Sequence, residues 1–273
     1  MKKTMMKGVG GAILMASASG AWAACSNISF DALTQAATFV KNLEQNHTGG
    51  LKNNMWVTFV DETGKVCSIV NTAGPGQNSG ATWGVSRVIS VQKANTSALL
   101  SLDVSSPGGV QAWASGALFL ATQPVIDTNT AKVAHNQAEG LAGTLWGVQF
   151  SNLLNPAPAY AGSPDKYGTK NDPLKNKRVG GIIVFGGGLP LYTTNGQKIG
   201  AIGVSGDTSC TDQAFAWRVR EKLASNLGIA NAEQIAAKNG LGKEAEQLDI
   251  SAGSYPDCIK EITPREGIVN GLK

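Results

Sequence analysis

Residues 178–212, RVGGIIVFGGGLPLYTTNGQKIGAIGVSGDTSCTD, restrict the fold more than any other part of the chain, because they hold its densest run of glycine and β-branched residues. Asn195-Gly196 separates the β-rich runs 189–194 and 197–204. An Asn-Gly pair favours a two-residue turn, since both central residues tolerate φ > 0, so two antiparallel strands are expected to meet there. Gly200 and Gly203 fall inside the second strand. Glycine weakens a strand interior unless another backbone, a helix or a ligand must come close.

The chain before this unit reads as alternating amphipathic and β-rich segments. In SFDALTQAATFVKNLEQN, Phe30, Leu33, Ala37, Val40 and Leu43 share one helical face, with Ser29 as N-cap. Residues 55–70 give two β-rich runs broken at 61–65, where Gly64 suits a hairpin turn. Helical spacing returns through Val88, Val91, Ala94 and Ala98 and carries Lys93. A further short helix is expected within 107–122, and irregular structure with a turn or two of helix over 127–149. Residues 151–178 form a long loop punctuated by proline and glycine; Tyr160 and Tyr167 argue for a packed loop able to close over a ligand or clasp a neighbouring subunit. Residues 211–226 read as a helix capped near Ser209, ended by Gly228, with Ala214, Trp217, Leu223 and Leu227 inward. Hairpins imply antiparallel pairing, and the amphipathic helices must cover the sheet, which gives an α+β layered domain.

Residues 1–23 read as a secretory signal peptide: Lys2, Lys3 and Lys7 precede a short apolar segment, and Ala21-Trp22-Ala23 supplies a small-residue cleavage site. The apolar segment is too short to span a bilayer. Removing the three leader lysines leaves 20 basic residues against 19 acidic ones. Bulk charge therefore gives no reason to expect a nucleic-acid partner. The basic group Lys166, Lys170, Lys175, Lys177 and Arg178 is interrupted by Asp165 and Asp172 and reads as a solvated loop. The expected division is a leader at 1–23 and a single domain at 24–273, with its core at about 29–227 and a C-terminal tail at 228–273. Four cysteines in an exported chain favour two disulfides, and of the three pairings Cys25–Cys67 with Cys210–Cys258 is preferred. A periplasmic or secreted location follows.

The strand-to-helix passage Gly203-Val204-Ser205-Gly206-Asp207 has the outline of a phosphate cradle but matches neither dinucleotide nor P-loop spacing, and Asp207 and Asp212 put negative charge where a phosphate would lie. Ser205 is no nucleophile elbow, because Asp207 stands where the last glycine would be. His47 and His135 are the chain's only imidazoles. His47 suits the end of the first helix, whereas His135, in a small-residue segment near Trp146, is the better candidate for an axial ligand to haem iron. Lys93, with Asn95 and Thr96 beside it, is either a solvated helix residue or a partner for a carboxylate.

The passage FGGGLPLYTTNGQKIGAIGVSGDTSCTDQAFAWRVREKL resembles the C-terminal signature of the GlcG/HbpS-like family, also called the haem-degrading or haem-binding domain family. WVTFVDETGKV is similar to that family's first hairpin, and VQKANTSALL to its lysine-bearing helix; the resemblance runs over roughly residues 29–227. It implies a profilin-like antiparallel sheet flanked by helices on both faces, assembly into homo-oligomers, and in some members binding of haem or a corrinoid. Lys93, Gly187, Gly188 and Ser205 occupy matched positions beside the expected groove. The leading expectation is an exported protein that binds a small planar or acidic molecule, haem above all, with Lys93 available to an acidic group. The alternatives are an enzyme acting on a small hydroxy or keto acid in the same groove, and a structural oligomer without ligand.

Overall fold

A computed structural model describes residues 24–44, 50–74, 81–122, 125–127, 132–134 and 145–238. In chain order the elements are α1 (Phe30–Glu44), β1 (Trp56–Val60), β2 (Val66–Asn71), α2 (Ser86–Leu100), α3 (Phe119–Thr122), β3 (Val125–Asp127), β4 (Lys132–Ala134), α4 (Val148–Ser151), α5 (Pro156–Ala159), β5 (Gly188–Tyr192), β6 (Lys198–Ser205), α6 (Ser209–Leu227) and α7 (Ala232–Lys238). The main sheet has the order β2-β1-β6-β5 and is antiparallel throughout, with β3 and β4 pairing separately as a small ribbon.

Both main hairpins use the same turn. The Asp61 N–H donates to the Lys65 carbonyl and the Gly64 N–H to the Asp61 carbonyl; Thr193, Gly196 and Gln197 repeat the pattern. Gly64 (φ 76°) and Gly196 (φ 88°) take the left-handed conformation, whereas Asn195 does not. The turn at Asn195-Gly196 is thus a three-residue loop rather than the expected two-residue one, a type I turn closed by a left-handed glycine.

One face of the sheet carries Val57, Phe59, Leu189, Leu191, Ile202 and Val204 against α1 and α6. The Ser29 hydroxyl accepts from the Ala32 N–H (3.1 Å) and so caps α1 as expected, which turns Leu33, Ala36, Ala37 and Val40 inward. The opposite face carries Trp56, Val60, Ile69 and Ala201 against Val88, Val91, Ala94 and Ala98 of α2. Helices therefore flank the sheet on both sides. A Cβ built on Gly203 would lie 1.9 Å from the Ser90 carbonyl oxygen and 2.5 Å from the Ala94 nitrogen, so this glycine answers to the backbone of α2 rather than to a ligand. Gly200 (φ 135°) similarly faces the Val60 carbonyl.

Two expectations need correction. Residues 107–115 are not helical: Leu102 and Gln111 form an antiparallel bridge around Gly109, whose φ of 72° opposes helix, and only 116–122 coil. Helix α6 is capped by Thr208 rather than Ser209; it is closed by Gly228 (φ 68°) as expected, but Leu227 is 39 % exposed rather than inward. The 151–178 loop is packed, as expected, and lies against its own domain, with Ala159, Leu174 and Tyr167 joining Trp56 and Val88 under α2. Arg87 anchors it through a bidentate ion pair with Asp172, a bond from its guanidinium to the Ala159 carbonyl (3.1 Å), and a cation–π contact 3.6 Å above the Tyr167 ring.

Cys25 and Cys67 are joined by a disulfide, as the preferred pairing required, with Cα atoms 5.1 Å apart. It ties the segment ahead of α1 to the second strand. Cys210 is buried in the first turn of α6, and Cys258 lies outside the described residues.

Candidate functional site

Helix α2 crosses β6 at Gly203, where Ser90 and Ala94 meet the strand, and Lys93 lies in that same turn of the helix. Its ammonium donates to the Asp212 Oδ2 (2.6 Å) and to the Val204 carbonyl (3.0 Å), with both side chains 3 % exposed. Asp212 stands in the first turn of α6, where a carboxylate complements the helix dipole, and its Oδ1 accepts from the Asp207 N–H (3.0 Å). Burial pushes the Asp212 carboxyl up from 3.8 to about 6, with the Lys93 charge working against it. Burial likewise pulls the Lys93 ammonium below its ordinary value, against the opposing pull of Asp212.

Gly187 (φ 120°) is wedged between these groups: a Cβ there would meet the Val204 carbonyl oxygen at 2.3 Å and both Lys93 and Asp212 at 3.2 Å. At Gly188 a Cβ would lie 2.3 Å from the Lys93 carbonyl oxygen and 2.7 Å from the Ser115 Oγ. The loop's amides are all engaged. Gly186 donates to the Ser209 Oγ (2.7 Å), Gly187 to the Gln213 Oε1 (2.8 Å) and Gly188 to the Ser115 Oγ (2.8 Å). Ser205 is buried at the end of β6 opposite Trp56, next to the carbonyl that Lys93 holds.

Lys93, Gly187, Gly188 and Ser205, picked out from the sequence, are thus brought together, but in a closed arrangement. Lys93 is neither solvated nor open to an incoming acid; the carboxylate it holds is that of Asp212. Sequence reasoning had given Asp212 only the role of opposing a phosphate. An acid in a helix's first turn was the available signal, but nothing in the sequence links it to a lysine 119 residues away. The backbone that a phosphate would need is likewise occupied, because the Asp207 carboxylate accepts from Leu51 (2.8 Å), Asn53 (3.0 Å) and Thr208 (2.7 Å).

A second apolar cluster, itself buried, is linked to this knot through Ser115. Leu118, Ile182 and Val184 form a small apolar cluster of their own, against which Leu100, Trp113, Phe119, Leu145 and Val148 pack. Phe185, 43 % exposed, continues it toward the glycine loop, and its carbonyl accepts from the Ser115 hydroxyl. The Leu145 N–H donates to the Ala121 carbonyl (2.8 Å), so the two ends of the segment between α3 and α4 meet at this cluster. That segment contains His135, which, like His47, lies outside the described residues. The described residues include no imidazole to ligate iron.

Among solved structures, the crystal structure of the Klebsiella pneumoniae protein ORFY, described under the family model DUF336, is 21 % identical; the match covers 72 % of this chain and 91 % of that one, with a TM-score of 0.41. No curated protein matches the chain. The family model described as "Haem degrading protein HbpS-like" matches residues 31–220, a span that holds both hairpins, α2 with Lys93 and the start of α6 with Asp212. The chain therefore belongs to the HbpS-like family.

Proposed function

We propose that the protein is an exported binding protein for haem or a related tetrapyrrole. The observation that carries this reading is the apolar cluster of Leu118, Ile182 and Val184, onto which the two ends of the His135-bearing segment converge. A tetrapyrrole is held mostly by burial of its faces against apolar side chains, with a few polar groups fixing its orientation. The family's description as haem-degrading supports the choice of ligand. His135 is the residue that would hold the iron, and the donor and the polarity around it would tune the metal's chemistry. Gly187, Gly188 and Ser205 shape the wall beside the cluster rather than touching iron, and Lys93 keeps that wall in place through Asp212.

Export is supported by the Cys25–Cys67 disulfide, since such bonds persist in oxidising compartments. Assembly into a homo-oligomer belongs to the same reading. Titration of the protein with haem is expected to give a saturable Soret band at one equivalent per chain, and His135→Ala to weaken it. Absence of a saturable spectral change overturns the reading. Native mass spectrometry of protein taken from its own compartment reports the processed N-terminus and the number of copies.

A further inference from the structure

The hairpin of β1 and β2 brings both sulfurs of the Cys25–Cys67 disulfide to a carboxylate. Phe59 pairs with Ser68 and Val60 with Val66, so Cys67 is the extra residue of a β-bulge, a feature that re-aims a side chain. It packs with Val57 and Phe59 on the face covered by α1, and Cys25 joins it there. Asp61 follows β1 directly and is buried at the start of the turn. The two Sγ atoms and one Asp61 carboxylate oxygen all lie within 4.8 Å of one another.

Half of the carboxylate serves the turn. Its Oδ1 accepts from the Thr63 N–H (2.9 Å), the Thr63 hydroxyl (2.7 Å) and the Lys65 N–H (2.9 Å). The turn does not use Oδ2, which faces the Lys65 ammonium at 3.3 Å. While the sulfurs are bonded to each other, the cluster is a staple with a turn beside it. Reduction changes its chemistry, because the thiolate and not the disulfide is the metal ligand. A dithiol gives two electrons and two protons to the Cys25–Cys67 bond and is itself oxidised to a disulfide, which leaves two thiols on Cα atoms 5.1 Å apart.

We propose that in this reduced state Cys25, Cys67 and the Asp61 Oδ2 bind a thiophilic divalent cation, zinc above all. Each thiol releases its proton as it ligates. The two positive charges of the cation, with that of Lys65, then balance two thiolates and a carboxylate. Two sulfurs and an oxygen suit zinc, with water in the fourth tetrahedral position. Thiolates bound at about 2.3 Å stand roughly 4 Å apart, a separation that rotation of the two side chains can supply. Cys25 is only partly buried, which gives the cation and its water a way in. The metal ties the segment ahead of α1 to β2, as the disulfide does. The site shares no residue with the apolar cluster assigned to haem.

The test is titration of the full chain with cobalt(II), a spectroscopic stand-in for zinc, after reduction with dithiothreitol and desalting without oxygen. The reduced chain is expected to develop a thiolate-to-cobalt charge-transfer band that saturates at one equivalent and is displaced by zinc; the oxidised chain should show none. Zinc should raise the melting temperature of the reduced chain alone. Asp61→Asn keeps an Oδ1 acceptor for the turn and should weaken cobalt at least roughly tenfold, a loss typical even of groups behind the ligands. Cys67→Ser should abolish the band. Cys210 is also disulfide-bonded, so Cys210→Ser/Cys258→Ser provides the control and should leave the band in place. No band in the reduced chain, a band that survives Cys67→Ser or vanishes in the control pair, or equal affinity in Asp61→Asn overturns the proposal. So does binding without a rise in melting temperature, which would be capture by unfolded chain.

Discussion

Lys93 and Asp212 meet at 2.6 Å beneath the Gly186–Gly188 loop and join the helices on opposite faces of the sheet around the end of β6. Each charge is tolerable in this buried place because of the other. Removing one strands its partner, whereas replacing both with apolar groups removes the desolvation problem altogether. Lys93→Met is therefore expected to destabilise the fold by about 3 kcal/mol. Lys93→Met/Asp212→Leu should cost less than the sum of the single changes, a non-additivity that urea unfolding in a double-mutant cycle measures directly.

The raised Asp212 carboxyl fixes the sign of one pH effect. Its folded value of about 6 lies above the ordinary 3.8, so between the two the folded state binds the proton more tightly than the unfolded chain. Its contribution to stability is fully present below about pH 4 and is lost as pH rises through about 6. Urea midpoints of the unaltered protein should fall relative to those of Asp212→Asn across that window. A difference that stays flat or rises contradicts the assignment.

Glycine substitutions should separate according to what lies behind each position. Gly203→Ala drives a methyl group into the backbone of α2 and is expected to cost about 3 kcal/mol or prevent folding. Gly84→Ala meets nothing within 4 Å and should shift stability by no more than about 0.5 kcal/mol. Thermal melts of the pair provide the comparison.

Arg87 is the anchor of the 151–178 loop, so Arg87→Leu leaves Asp172 buried without its partner and detaches Tyr167. A loss of about 3–5 kcal/mol is expected. Limited proteolysis should then cut first at Lys166 or Lys170, exposed residues that the intact anchor keeps in a folded loop. Retention of wild-type protease resistance would show that the loop is held by its apolar contacts alone.

What could be read in advance follows the range of the forces involved. Ser29 caps α1 through a hydroxyl acting three residues away, Gly64 and Gly196 close their hairpins by local backbone conformation, and Gly228 ends α6 in the same manner. Such features need only a short stretch of chain, so residue order carries them. The segment 107–115 escaped this logic because its apolar spacing suits a helix while the Leu102–Gln111 bridge and Gly109 favour a turn.

By itself the sequence determined the two hairpins, the helices that cover them, and the need for close approach at Gly200 and Gly203. Only the tertiary structure decided what approaches: the backbone of α2 at Gly203 and that of β1 at Gly200. It also turned Lys93 inward to Asp212 and drew Asp172 off the surface to Arg87, pairings that span 119 and 85 residues. An ion pair has no sequence period. Its partners are chosen where folded elements cross, in a buried site where an unpaired charge is too costly to keep.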